Sequence, residues 1–366
     1  LAGFYLLEAW GMASSMTFAG MGSIAVGGAA LLLERATSAL PTAATAAPAT
    51  PPESAPAPVV ATSEYDTTQA SARRQAAVAG AIAALSGLAA LLMQTLWFRV
   101  FGVVLGSSAY VFALVIAAII AGITGGAIVA RMLLRERPGH SGEVRASWLV
   151  VAALVAAALL LLVSPAHERL PWWLAHLRYA IQPETFEAWQ LARLGLIAGV
   201  IMIPAVAMGV LLPLCGRLAM RTGRVAGAAA GVFAWNTVGS VLGAALGGTM
   251  LVPLVGLHGA LLVAVVLLLL AGGIAFVALP DAPERMGRDE STETTAAPTS
   301  VTNRRRLLLG AWVFVAVWAA LDPGPWDVRL LSAGAFRRKV RAVPTWAIWK
   351  ARLLREDVVF SADGPD

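Results

Sequence analysis

The stretch LSGLAALLMQTLWFRVFGVVLGSSAYVFALVIA, Leu85–Ala117, decides the fold class of this chain. Two apolar arms flank one arginine, Arg99, and a Gly106-Ser107-Ser108 break. Each arm has the length and composition of a membrane-crossing helix, which needs about 20 mostly apolar residues. An arginine near the hydrocarbon core is costly, by about 2.5–3.5 kcal/mol on insertion scales. It is kept there when it lies near an interface, lines a cavity or finds a partner. Arg99 is therefore a first candidate for an intramembrane functional residue.

The composition agrees. Of 366 residues 58% are hydrophobic and only 13% are charged, and the mean hydropathy is +0.75. Soluble domains carry about 25% charged residues, and the apolar excess here must face lipid. The net charge of +6 does not point to nucleic acid. The basic residues stand at the ends of apolar runs, where they orient helices, and form no groove interleaved with aromatics. A single cysteine, Cys215, excludes an intramolecular disulfide and a zinc–cysteine cluster. Leu1 opens inside an apolar stretch, with no basic segment before it, and reads as the start of a fragment or processed chain and not as a signal peptide.

Apolar runs place about eight spans, near Gly3–Leu33, Gln75–Leu96, Ala109–Ala130, Trp148–Val163, Leu191–Leu212, Ala226–Val252, Gly259–Ala278 and Leu307–Ala320. The organisation follows from them: a first-half membrane segment over 1–35, truncated at its start, and an Ala/Pro-rich linker expected to be disordered over 36–72. A helical membrane domain over 73–280 comes next, then a polar linker over 281–306, a last crossing over 307–322 and a basic tail over 323–366. The aromatic and basic run His167–Gln190 suits a helix lying at the membrane surface. Arginines at 35, 73, 74, 131, 135, 137, 145, 217, 221, 224, 285, 288 and 304–306 fall on one face, which the positive-inside rule makes cytoplasmic. By that alternation the equally basic tail falls outside, unless 307–320 fails to cross.

A weak repeat runs through the chain. Gly3-Phe-Tyr-Leu-Leu-Glu8-Ala-Trp-Gly11 aligns with Gly231-Val-Phe-Ala-Trp-Asn236-Thr-Val-Gly239, and Gly20 then stands opposite Gly248. Duplicated halves are common in transporter folds, so the expected architecture is an all-α integral membrane protein built as a two-half, transporter-like bundle. The polar residues in or beside spans are Glu8, Gln94, Arg99, Asn236 and His258. The first four form the candidate intramembrane site. Glu8 and Asn236 hold equivalent repeat positions, so they either form interhelical hydrogen bonds or carry a substrate or proton. His258 lies in a short turn with no second histidine or carboxylate near it in sequence, which favours solvent contact or a helix cap over metal binding. Glycines at 122, 125 and 126, and at 239, 243, 247 and 248, have the spacing that lets helices approach closely. Gly20-Met-Gly22 has neither the strand nor the acidic ribose ligand of a dinucleotide site, and there is no Walker, HExxH or GxSxG sequence. No catalytic or metal residue is assigned.

These motifs resemble the membrane-fused spermidine synthase-like proteins. Ser86-Gly87, Trp97-Phe-Arg99 and Leu105-Gly-Ser-Ser108 are similar to that family's opening membrane motif, although Gln94 stands where the family has glutamate. Asn236-Thr-Val-Gly239, Pro253-Leu-Val-Gly-Leu257 and Pro325-Trp-Asp327 through Ser332-Ala-Gly334 resemble its later motifs, and Tyr5–Gly11 its first-half helix. The resemblance implies a membrane part followed by a polyamine aminopropyltransferase domain, a transferase acting in polyamine biosynthesis. That domain moves an aminopropyl group from decarboxylated S-adenosylmethionine to putrescine. Its residues are expected beyond Asp366, so none of them and no cofactor site is carried over to this chain. The expected partners are the lipid bilayer and a polyamine, the expected location the bacterial inner membrane, and the expected role an anchor or conduit. The rivals are a small-solute or polyamine transporter and a structural membrane scaffold.

Overall fold

The computed structural model describes residues 11, 14, 17, 18, 20–22, 24–29 and 32, then 60–135, 146–182, 185–220, 225–279, 299–322, 324–335 and 343–355. These are almost wholly helical, with no strand among them. Two units are distinguished, Leu1–Thr67 and Thr68–Asp366. In the first, the described positions between 11 and 32 are helical.

The second unit contains helices α1 (Val60–Leu105, its first turns in the first unit), α2 (Ala109–Leu133), α3 (Ala146–Ile181), α4 (Phe186–Met220) and α5 (Val225–Leu246). A π-helical segment, Gly247–Leu251, leads into α6 (Val252–Ala278), followed by α7 (Thr299–Ala320), α8 (Val328–Leu331) and α9 (Trp346–Leu353). Five helical stretches are long and apolar enough to cross a membrane: Ser71–Leu105, Ala109–Leu133, Ser147–Ile181, Phe186–Met220 and Gly227–Ala278. The chain has the character of an integral membrane protein. The last stretch is broken at Gly256, whose φ of 72° and ψ of 174° lie outside the helical region. An L side chain is strained there, so the sequence separation into Ala226–Val252 and Gly259–Ala278 has a physical break behind it. Helix α7 is not among the five, because its apolar part is confined to 307–320 behind Arg304–Arg306.

Two local expectations are corrected. Helix α1 begins at Val60, inside the stretch expected to be linker. Pro58 is the last proline before it, and Val60–Ala72 contains no residue that prevents a helix. Residues 36–59 lie outside the described residues, as do 281–298. The run His167–Gln190 is not a separate surface helix: α3 continues unbroken through Pro165 and Pro171 to Ile181, and α4 starts at Phe186. At 36 residues α3 is about 54 Å long, well beyond a hydrocarbon core of about 30 Å.

The helices assemble through glycines. A Cβ on Gly239 or Gly243 would run into the backbone of Ala84 or Leu88, and one on Gly247 would come within 2.8 Å of Leu92 Cδ1. These residues advance together, so α5 lies parallel to α1. Gly122 and Gly126 of α2 likewise meet Ala205 and Gly209 of α4, making that pair parallel too. Between α1 and α2 the chain reverses at Gly106, with φ 91°. Ser108 then caps α2 by accepting from the Val111 amide at 3.3 Å, and Phe98 stacks on Phe112 with centroids 4.3 Å apart. The Gly-Ser-Ser break is a tight helical hairpin. In α6, Gly272 lies against Ala153 of α3, while Trp312 Nε1 of α7 donates to the Leu269 carbonyl at 3.0 Å.

Candidate functional site

Of the four expected site residues, the three that are described, Gln94, Arg99 and Asn236, are not gathered into one place. Glu8 lies outside the described residues. Asn236 sits half-buried on α5 across from Gly87, where an added Cβ would come within 2.5 Å of the Asn236 carbonyl and 2.8 Å of its Oδ1. Arg99 is twelve residues farther along α1, about 18 Å away along the axis. Gln94 is half-buried on α1, but five residues separate it from Arg99, which turns the two about 140° apart around the helix.

Arg99 instead reaches backbone. Its Nη2 donates to the Gly248 carbonyl at 2.7 Å. That carbonyl needs a donor for a reason written in the sequence. In the π-helical register the Val252 amide bonds the Gly247 carbonyl, five residues back. The next residue in that register is Pro253, which has no N–H to offer Gly248. A buried, unpartnered carbonyl in a membrane costs several kcal/mol, and the guanidinium fills the gap. Arg99 thus closes a break in the α5–α6 backbone.

The side-chain cluster the structure does assemble lies where the middle of α3 meets the start of α6 and the end of α7. Trp326, beyond α7, stacks on His167 of α3 with ring centroids 4.4 Å apart and planes at 15°. His258 of α6 meets the same indole edge-on at 5.4 Å. Trp326 Nε1 donates to Ser164 Oγ at 3.2 Å, and the Asp327 amide donates to Glu168 Oε1 at 2.9 Å. His258 Nε2 lies 2.8 Å from Asp322 Oδ1, both side chains more than 90% buried. The Asp322 carboxylate also accepts from the Gly324 amide at 3.2 Å. The His167 Nδ1 sits 3.0 Å from the Val163 carbonyl and 3.1 Å from that of Ser164. This makes Nδ1 the protonated nitrogen and leaves a lone pair on Nε2.

The expectation for His258 is therefore corrected. It is buried, and a carboxylate 64 residues later in the chain lies against it, with His167 on the far side of one tryptophan. The sequence did hold a signal. Alternation of the spans puts the end of the apolar run Trp148–Val163, the start of α6 and the end of α7 on one side of the membrane, so Ser164–Glu168, His258 and Asp322–Asp327 share a level. No group of three or more His, Cys, Asp and Glu placed to hold a metal occurs among the described residues.

The segment beyond α7 is anchored a second time. Trp172 Nε1 of α3 donates to the Pro344 carbonyl at 2.9 Å, and the Arg169 guanidinium lies 5.7 Å over the Trp346 ring. Leu330, Ala333 and Leu353 form a small buried cluster, with Trp346 and Trp349 packed on it. What this arrangement can do chemically is hold a polypeptide segment against α3 and α6 through polar and aromatic contacts. No family model, curated protein or solved structure matches the chain.

Proposed function

We propose that this chain is the membrane-embedded part of a spermidine synthase-like protein, with the role of anchor. Aminopropyl transfer to putrescine would belong to a synthase domain beyond it. The observation that supports this reading is the use made of Arg99. The one arginine inside the α1 signature is engaged with the Gly248 carbonyl, and the motifs that carry the resemblance serve packing. Ser86-Gly87 gives room to Asn236, Gly239 receives the Ala84 backbone, and Gly106–Ser108 forms the α1–α2 turn. Pro253 creates the vacancy that Arg99 fills, and Pro325-Trp-Asp327 docks on α3 and α6. A set of membrane motifs spent on architecture suits a platform whose chemistry is done elsewhere. The membrane in question is, on the same reading, the bacterial inner membrane.

The transport reading rests on the broken α5–α6 segment, since interrupted helices often line substrate sites in transporters. Here the exposed carbonyl at the break is taken by Arg99, which favours the anchor. Two assays separate the readings. Membranes carrying the complete gene product, given decarboxylated S-adenosylmethionine and labelled putrescine, should form spermidine. Vesicles reconstituted with residues 1–366 should accumulate no more labelled putrescine or spermidine than empty ones. Absence of spermidine would overturn the synthase assignment, and protein-dependent uptake would replace the anchor with a transporter.

A further inference from the structure

Trp189, in the first turn of α4, has two guanidiniums over its ring. The central carbon of Arg193 lies 4.8 Å from the ring centroid, and that of Arg178, in the last turn of α3, lies 5.9 Å from it. The two like charges are no farther apart than the sum of those distances, and they repel each other. A guanidinium over an aromatic ring offers the ring its face and keeps its N–H donors in its own plane, aimed past the ring edge. Arg193 Nε is buried and has no hydrogen-bond partner among the described residues. The same is true of Oε1 on Gln190, a residue only 6% exposed. A charged donor and a neutral acceptor thus stand unmet three residues apart on one helix, where burial makes each vacancy costly. Glu187, also in the first turn of α4, is exposed and forms no ion pair with Arg193. Glu184 lies outside the described residues.

The cluster stands at the edge of the bilayer. Arg193 is the third residue of the apolar run Leu191–Leu212, and Arg178 lies beyond the end of Trp148–Val163. Aromatic and basic side chains together mark the headgroup level of a membrane. Phe186 and Leu191, both exposed, offer apolar surface beside the arginines, and Tyr110 of α2 packs edge-on against Phe186 at 5.1 Å. We propose that Arg193, Arg178 and Gln190, grouped around Trp189, form a binding site for a phosphate that carries a neighbouring hydroxyl, the chemistry of a phosphatidylglycerol headgroup. Phosphate oxygens accept from Arg193 Nε and from both guanidinium forks, which offsets the repulsion between them. The hydroxyl donates to Gln190 Oε1. A free glycerol phosphate offers the same groups, but the exposed Phe186 and Leu191 suit the acyl chains of a lipid. The site holds whether the chain anchors a synthase or transports a solute, since it uses none of the residues on which those readings rest.

Native mass spectrometry of the intact chain in detergent, titrated with phosphatidylglycerol or phosphatidylcholine, counts the lipids bound. One phosphatidylglycerol should bind about tenfold more tightly than phosphatidylcholine, the effect of one charge-assisted hydrogen bond. Arg193→Gln and Arg178→Gln should each abolish that preference, and Gln190→Leu should reduce it. Arg131→Gln, which removes an equal charge at the other end of α2, should leave it intact. Calorimetry with glycerol 3-phosphate tests the soluble source. Binding of that compound without a lipid preference, lost in Arg193→Gln, would keep the phosphate site and make its ligand soluble. Equal affinity for the two lipids with no binding of glycerol 3-phosphate would overturn the site. So would a lipid preference that survives Arg193→Gln, or one that Arg131→Gln abolishes equally. Should Arg193→Gln fail to fold, Arg178→Gln and Gln190→Leu are read by the same criteria.

Discussion

Arg99 and the Gly248 carbonyl, 149 residues apart in the chain, are joined by a 2.7 Å hydrogen bond from the guanidinium Nη2. The bond ties the end of α1 to the π-helical segment between α5 and α6, on the same seam where Gly239, Gly243 and Gly247 bring the two helices together. The arginine closes this seam. Truncating it leaves a partly buried carbonyl without a donor, a loss of about 1–3 kcal/mol. Arg99→Met, close in length and without charge, should lower the thermal midpoint of the chain in detergent micelles. Arg99→Lys should recover part of it, because one ammonium donor can still reach. If Arg99→Met melted at the wild-type temperature, the bond would have no structural weight.

The glycine seams make a sharper prediction, because neighbouring glycines should respond oppositely. Gly239→Ala sets a methyl group into the Ala84 backbone, and Gly126→Ala sets one into the backbone at Val206 and Gly209. Backbone cannot step aside as a side-chain end can, so each should cost about 1–3 kcal/mol or more, the usual range for overpacking. Gly199 and Gly231 lie in helices with nothing within 4 Å of an added Cβ. Alanine there should be neutral or slightly stabilising, since glycine is the poorer helix former. Denaturant titration followed by circular dichroism would rank the four. Equal effects at all positions would contradict the close approach of α1 to α5 and of α2 to α4.

The glycine spacing was legible in the sequence because its cause is local in kind. Small residues every fourth position can only line one helix face, and in lipid that face has to meet another helix. The same holds for the α1–α2 hairpin, where Gly106 and Ser108 supply a left-handed turn and a cap within three residues. Arg99 was legible only by half. Its cost in the membrane follows from its position, but its partner is a carbonyl, and carbonyls carry no sequence signature. The clue was Pro253, five residues beyond Gly248, and it acquires meaning only when the register is π rather than α. His258 was misread for a related reason. Asp322 and Trp326 are more than 60 residues away in the chain, and only the lie of α7 along α6 brings them to it. Composition sorts residues into membrane and water, whereas the pairing of polar groups depends on which helix ends share a level.

Helix α7 has the weakest composition for a crossing, yet its contacts run the length of α6. Arg305 Nη2 donates to the Phe276 carbonyl at 3.1 Å, Trp312 to Leu269 at 3.0 Å, and Asp322 meets His258 at 2.8 Å. The two helices are antiparallel over about 25 Å, close to the thickness of a hydrocarbon core of about 30 Å. Asn303 and Thr345, both exposed, should therefore face opposite sides of the membrane. With the buried Cys215 changed to alanine, a cysteine at position 303 and one at 345 should react with an impermeant maleimide from opposite sides. Labelling of both from one side would make α7 a hairpin arm or a surface helix.

Pro253 and Arg99 should be energetically coupled, although the coupling passes through a carbonyl that belongs to neither. Pro253→Ala restores an amide at the position from which the π register would donate to Gly248. In that background the carbonyl has a donor on its own helix, and the guanidinium is no longer needed to satisfy it. Arg99→Met should then cost less than it does beside proline. The difference between the two costs should be about 0.5–3 kcal/mol, the range for residues that share a partner. Four proteins close the cycle: wild type, each single variant and the double variant, compared by denaturant titration in one detergent. A coupling energy of zero would mean that Gly248 is satisfied independently of both residues, and Arg99 would then have to be explained by something other than the break.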